Sequence, residues 1–433
     1  MIEIFNSIYI FIFFTLLTLF PINIFNKKIS DNNLYSQSFN MLINLNILFL
    51  FSLLPFSILD LKIHFIILIF FIIFFAYFNK NSDYKRFFKK DFLLIYFIFL
   101  IVFFILTSNV LNNLFLEWDG QKFYLIKSII FFQGGTFNDL KTFEYNYFHP
   151  HYGQYLWAFF ARIGFIENEV FGRVFYIALY CFSILFVSSK LKVKDYLKLS
   201  LFVLLILLSF DYDLFAGWQE IILFSLLTLS AVYLFNLYEN KKNIFDLISL
   251  FLISNILIWT KAEGFVYAFI ILSLIVLSKI SVQKKLFSIL TIFSLILLKY
   301  LIFYITEFDL DPRPVQYNIE YVASLDFTTI FSKLKTIFIF LTYYLTTNEL
   351  MILNILVFAS IIFFKSIKTK NIKFIYHFFI FNYIFLIFVY ISNSFDTEYL
   401  MRTTAERLIF STSGFYLFSL IYFINEFKFY KKL

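Results

Sequence analysis

Glu117, Trp118 and Asp119 directly follow a hydrophobic run, in the stretch LFLEWDGQKFYLIKSIIFFQGG at 114 to 135. Glu220 stands in AGWQEIILF (216 to 224), Lys261 and Glu263 in WTKAEGF (259 to 265), and Arg402 and Arg407 in and just before TTAERLIFSTSGFYLF (403 to 418). His149 and His151 flank Pro150 in FHPHYGQYLWAFFARIG (148 to 164). A carboxylate in such a place can take a proton from a hydroxyl. A guanidinium offers a planar fork of donors that matches phosphate or carboxylate. The two histidines have no third ligand beside them in sequence, so they read as substrate contacts before they read as a metal site.

These residues are set in a chain that is 61% hydrophobic and 24% aromatic, with only 15% charged residues and a mean hydropathy of +0.83. Soluble domains carry about 25% charged residues, so the composition indicates an all-α, polytopic membrane protein. Apolar runs of bilayer length, about 20 residues, fall at 4 to 26, 41 to 60, 61 to 79, 92 to 112, 170 to 189, 199 to 216, 218 to 238, 244 to 260, 264 to 280, 286 to 306, 349 to 366, 373 to 393 and 409 to 425. They predict a transmembrane helical bundle of about thirteen spans. The first 26 residues lack a basic leader and a small-residue cleavage site, so they are expected to remain as a span. Cys181 is the sole cysteine, which excludes an intrachain disulfide and a cysteine metal cluster. The net charge of +8 comes with a surplus of Lys, Asn, Ile and Phe that suits an AT-rich genome, and no nucleic-acid partner is expected.

Lysine clusters orient the bundle. Lys27 with Lys28, KNSDYKRFFKKD (80 to 91), KLKVKDYLK (190 to 198), NKK (240 to 242), KISVQKK (279 to 285), KSIKTKNIK (365 to 373) and the tail KFYKKL all belong inside by the positive-inside rule. That holds only if 151 to 165 and 328 to 347 do not cross, and both are expected as in-plane helices at the outer interface, with aromatics at headgroup level. Every catalytic candidate then faces outward. So do Arg162, Arg173, Arg313, Arg402 and Arg407, five of the six arginines, with Asp211, Asp213, Asp309, Asp311, Asp396, Glu398 and Glu406. An outward-facing anionic ligand accounts for that set better than lipid anchoring does. Lys261 strengthens the reading, because a lysine at the outer end of a span runs against the orientation bias. Lys299 falls within a span and requires a partner. His64 and His377 sit in apolar context and read as structural.

The ordered series of a W-D motif after a span, the H-P turn with its helix, AGWQEIILF, WTKAEGF and the late arginine stretch resembles the class C (GT-C) membrane glycosyltransferases, over roughly residues 92 to 425. Glycine follows Asp119 where that family often has alanine, and Glu220 stands where an aspartate is usual. The resemblance implies inverting transfer of a sugar from a polyprenyl-phosphate donor to an acceptor hydroxyl on a glycan, lipid or protein. It places the site on the periplasmic side of a bacterial inner membrane. It implies Asp119 as general base with Glu220 as the second catalytic carboxylate, and Lys261, Arg407 and Arg402 at the donor phosphate. Trp118, His149, His151 and Glu263 would be substrate contacts. No cofactor is required, although a divalent metal could sit between Asp119 and Glu220. The expected organisation is a three-span segment at 1 to 91, a catalytic region at 92 to 425 with outer loops 113 to 169 and 307 to 348, and a basic cytoplasmic tail at 426 to 433. The rival readings are a lipid-linked sugar flippase and an O-antigen-type polymerase or ligase. Few glycines and prolines and no internal repeat weigh against the first, and an early rather than late long outer loop weighs against the second.

Overall fold

The computed structural model describes residues 2–20, 33–53, 60–78, 90–142, 150–210, 212–239, 244–308, 319–347, 352–363 and 373–427. Among these residues every regular element is helical and no strand occurs. A helix satisfies its backbone groups within one segment, which an apolar surrounding demands. The chain opens with α1 (Ile2–Leu19), α2 (Asn33–Ser52), α3 (Leu61–Phe78) and α4 (Lys90–Asn112). A π-helical turn at Gly120–Leu125 runs directly into α5 (Ile126–Phe132), and a 3-10 turn at Asn138–Thr142 precedes α6 (Tyr152–Ile163). The middle consists of α7 (Val170–Ser188), α8 (Asp195–Ser209), α9 (Glu220–Tyr238), α10 (Ile244–Thr260), α11 (Ala262–Leu277) and α12 (Val282–Ile305). Then come α13 (Ile319–Ser324), α14 (Phe327–Thr347), α15 (Ile352–Phe363), α16 (Lys373–Ser392) and α17 (Thr397–Phe427). His149, Asp211, Asp309, Asp311, Arg313, Lys27, Lys28, most of the lysine runs at 80–89 and 365–372, and the tail from 428 lie outside the described residues.

A helix coincides with each expected span, but among the described residues only seven are long and apolar enough to cross a membrane: α1, α4, α7, α9, α12, α16 and α17. The pair α14 and α15, bent by 106°, would make an eighth if it is one broken span. Length and polarity account for part of the difference from thirteen. α8, α10 and α11 have 15, 17 and 16 residues, which at about 1.5 Å per residue falls short of a hydrocarbon core of about 30 Å. α2 has the length but carries Gln37, Asn40, Asn44 and Asn46. Its amides are used on neighbours: Asn40 Nδ2 donates to the Thr18 carbonyl at the end of α1 (3.1 Å), and Asn46 Nδ2 to the Leu252 carbonyl of α10 (3.2 Å). These bonds, with Tyr35 donating to Asp246 Oδ1 at 2.6 Å, build the first helices into the same bundle as the rest.

α7 is buried along its entire length and α9 along nearly all of it, so these two form the axis. Stacked rings lock other helices onto them: Phe160 of α6 on Phe175 of α7 (3.8 Å) and Phe224 of α9 on Phe410 of α17 (4.7 Å). α12 instead exposes Leu290, Leu297, Leu301 and Tyr304, the apolar outer face of a bundle whose solvent is lipid. α6, expected at the outer interface, is enclosed by protein on nearly every side. Apart from Arg162, every residue of α6 is buried, and its aromatics pack on protein. Trp157 Nε1 donates to the Glu169 carbonyl (2.8 Å) and Tyr176 donates to the Gly153 carbonyl (2.8 Å), partners that headgroups would otherwise have to supply. α14 does expose Phe327, Phe331, Phe338 and Tyr343.

Candidate functional site

Five charged side chains from four separate parts of the chain meet at one end of the bundle. Asp119 comes from the turn after α4, Glu220 from the first position of α9, Lys261 and Glu263 from the junction of α10 with α11, and Arg407 from α17. Arg407 Nη1 donates to Asp119 Oδ2 across 288 positions of sequence. Lys261 Nζ lies 2.6 Å from Glu220 Oε1 and 3.6 Å from Glu263 Oε1, and Arg407 Nε lies 3.7 Å from Glu220 Oε1. Glu220 is the floor, at 1% exposure, while Asp119 is the most open member at 23%. Three carboxylates thus face two cations. Burial pushes the Lys261 ammonium down, but Glu220 and Glu263 more than offset it, so its pKa is raised and it stays charged. Among the described residues Glu220 Oε2 and Glu263 Oε2 are buried without a partner, which leaves two acceptors for a bound hydroxyl.

The backbone explains how Asp119 arrives there. The amide of Glu117 donates to the Ala216 carbonyl (2.9 Å), pinning the segment after α4 against the one before α9. A Cβ on Gly120 would stand 2.6 Å from the Ala216 oxygen, so only glycine allows this approach. Opposite it, Gly217 has φ +98, the left-handed region that glycine enters freely. Arg173, 1% exposed on α7, clasps both segments: its Nη1 donates to the carbonyls of Phe115 (3.1 Å) and Phe215 (3.2 Å), and its Nη2 to Glu169 Oε1 (2.8 Å). From Gly120 the chain enters a π-helical turn, a form that is rare and concentrated at functional sites. Glu220 opens α9, where the helix dipole favours an anion. Lys261 has extended backbone, φ −153 and ψ 159, between two helices.

Two aromatic groups that sequence reasoning passed over belong to the site. Arg407 lies 5.5 Å from the centroid of Trp218, a cation–π contact. The Tyr124 phenol, carried by the π-helical turn, sits in the field of Lys261, Glu220, Asp119 and Arg407, with burial the larger cause of its raised pKa. Its spacing from Asp119 is disguised by that turn, and no α-helical period would have found it.

Other expected contacts stand elsewhere. Arg402 is exposed, pairs with Glu398 on its own helix (2.7 Å) and is not part of the cluster. Five positions from Arg407 is about 500° of helix, so it faces away by about 140°. Trp118 is exposed and packs edge-on against Phe123 at 5.1 Å. His151 is buried at 1% exposure among Phe137, Phe131 and Trp259, bonded to Ser52 (3.1 Å), and so is separate from the five charges. Lys299 finds its partner in the Ile258 carbonyl (2.9 Å) at the C-terminal end of α10, with the Trp259 ring beside it (5.6 Å), a position where the helix dipole favours a cation. Among the described residues no three His, Cys, Asp or Glu side chains group as a metal site, so no residue is assigned to one.

The chain matches no family model, no curated protein and no solved structure. Its chemistry has to be read from the cluster itself.

Proposed function

We propose that the protein is an integral membrane glycosyltransferase that moves a sugar from a polyprenyl-phosphate donor to an acceptor hydroxyl, with inversion, on the outer face of a bacterial inner membrane. The observation that carries this reading is the meeting of Asp119, Glu220, Lys261, Glu263 and Arg407 at one place, from segments up to 288 positions apart. Buried charge is expensive, and five charged side chains gathered in such an apolar chain carry a large desolvation cost. Transfer from a lipid phosphate needs a base for the incoming hydroxyl and fixed cations for the departing phosphate. Asp119, the most open carboxylate of the cluster, takes the proton from the acceptor. Lys261 and Arg407 stabilise the charge that grows on the phosphate oxygen as the glycosidic bond breaks. Glu220 and Glu263 hold Lys261, and their free oxygens receive hydroxyls of the sugar or acceptor. When donor phosphate engages Arg407, the arginine is drawn from Asp119 and leaves that carboxylate open to the acceptor hydroxyl. Tyr124 and Trp218 wall the site.

The test uses purified protein in liposomes, with labelled donor and acceptor supplied on one face. Asp119→Asn should lower transfer at least about a hundredfold, the scale of losing a positioned base, while donor binding persists. Transfer near the wild-type rate would remove Asp119 as base and move the role to Glu220. Donor crossing the bilayer with no new glycosidic bond would replace the transferase with a flippase.

A further inference from the structure

The two cations of the carboxylate cluster are already matched by three acids, yet a second set of basic groups lies close by. Trp259 is two residues before Lys261 and 0% exposed, and its indole Nε1–H has no hydrogen-bond partner among the described residues. The ring of His151 packs across it at 5.5 Å and 78°. Ser52 donates its single hydroxyl hydrogen to the Phe49 carbonyl (2.7 Å), so at 3.1 Å it must accept from His151 Nε2–H. That fixes the tautomer and leaves His151 Nδ1 as a buried acceptor, also without a partner among the described residues. Lys299 Nζ reaches over Trp259 (5.6 Å) and Phe303 (5.7 Å), spending one donor on the Ile258 carbonyl. The charge of Lys127, buried at 1% exposure on α5, also acts on His151. Burial first, then Lys127 and Lys299, hold His151 well below the ordinary histidine range, so it is neutral.

We propose that Trp259, His151 and Lys299 form a second binding site that takes the monoanion of a phosphate monoester. The donor and acceptor pattern decides the class. An indole N–H and an ammonium ask for oxyanion acceptors, while the bare Nδ1 asks for one hydrogen. A carboxylate or a phosphodiester has the acceptors but no hydrogen to give. A sugar hydroxyl has the hydrogen but no charge to answer Lys299. A singly protonated phosphate monoester has both, and its second ionisation near pH 6 keeps that form within reach. Access comes from the apolar side: Lys299 is half-buried on α12 between the exposed Leu297, Leu298 and Leu301, so a monoester carrying a prenyl or alkyl tail can present its headgroup from the bilayer. The site does not depend on the transferase reading, since a transporter of lipid phosphates would need it as much.

Equilibrium binding of radiolabelled farnesyl phosphate to the full chain in detergent micelles tests it, with farnesol, phosphatidylglycerol and inorganic phosphate as comparisons. Farnesyl phosphate should bind saturably and farnesol should not. Lys299→Met and Trp259→Phe should each weaken binding at least about tenfold, the scale of one hydrogen bond to a charged group, with thermal unfolding confirming that the variants fold. Trp259→Phe carries the test if Lys299→Met does not fold. Equally tight inorganic phosphate would place the ligand in solution, and tight farnesyl phosphate alone would place it in the bilayer; either supports the site. Equal binding of phosphatidylglycerol, or affinity lost in Arg407→Met and kept in Lys299→Met, would overturn it. Because the readout is binding, a failure here is distinct from loss of transfer in Asp119→Asn.

Discussion

Lys261 and Glu220 should be coupled strongly enough to measure. Their nitrogen and oxygen stand 2.6 Å apart, with side-chain exposures of 14% and 1%, so solvent screens them little. Two unit charges about 4 Å apart attract by about 4 kcal/mol at an effective dielectric near 20, and removing one member of a buried pair costs about 3–5 kcal/mol. Glu263, at 3.6 Å from Lys261, and Arg407, at 3.7 Å from Glu220, each stand in for part of the lost partner, which sets the expectation at the lower end. Glu220→Gln and Lys261→Met should therefore each destabilise by about 3 kcal/mol, and the double variant by about 3 rather than about 6, a coupling of about 3 kcal/mol. The assay is reversible unfolding of the purified protein by SDS titrated into mild-detergent micelles, followed by far-ultraviolet circular dichroism. Single losses that add to within about 0.5 kcal/mol would mean that the pair is not formed, and the account of Lys261 as a cation held in place for phosphate would go with it.

Arg407→Lys should recover only part of the turnover lost in Arg407→Ala, because a point charge cannot bridge Asp119 and Glu220 as a planar fork does; full recovery in the transfer assay would contradict this. Gly120→Ala forces a methyl against the Ala216 oxygen and should cost about 1–3 kcal/mol by the same SDS titration, with transfer falling further than stability. Burial holds the Lys127 ammonium down to about 7, whereas an unfolded chain keeps it charged to about 10.4. Between those values the unfolded state binds the extra proton, so the contribution of Lys127 to stability rises with pH above about 7 and is at its full penalty below. Lys127→Met should flatten that rise in thermal unfolding measured from pH 6 to 9; an unchanged slope would show that the lysine is not desolvated.

How much of this was legible in the sequence depends on the range of the cause. Apolar runs located a helix at every expected span, since hydrophobicity is local, but the number long enough to cross depends on polar residues and helix ends that α2 and α8 settle by packing. Four of the five clustered charges announced themselves as residues at span ends, and Arg407 through its place at the start of a late apolar run. Arg402 was grouped with it by proximity along the chain, though the turn of the helix separates them. The aromatics of α6 resemble an interfacial helix in every compositional respect; what buries them is α7 and α5 closing over them, which no window of sequence contains. Tyr124 and Trp218 were hidden for opposite reasons, one by an irregular helical turn and the other by standing in a chain with 74 Phe and Trp residues.

The clasp around Asp119 has a consequence for descent. Two backbone segments are held together by carbonyls, by a Gly120 that admits no side chain, by Gly217 and by the guanidinium of Arg173, and carbonyls are supplied by any residue. The bonds that hold Asp119 in place therefore set no side-chain identity at Phe115, Phe215 or Ala216, where packing alone limits the choice. Distant relatives of this chain would be expected to share those two glycines, that arginine and the five charges, spread over nearly 300 positions, and little else that an alignment could score.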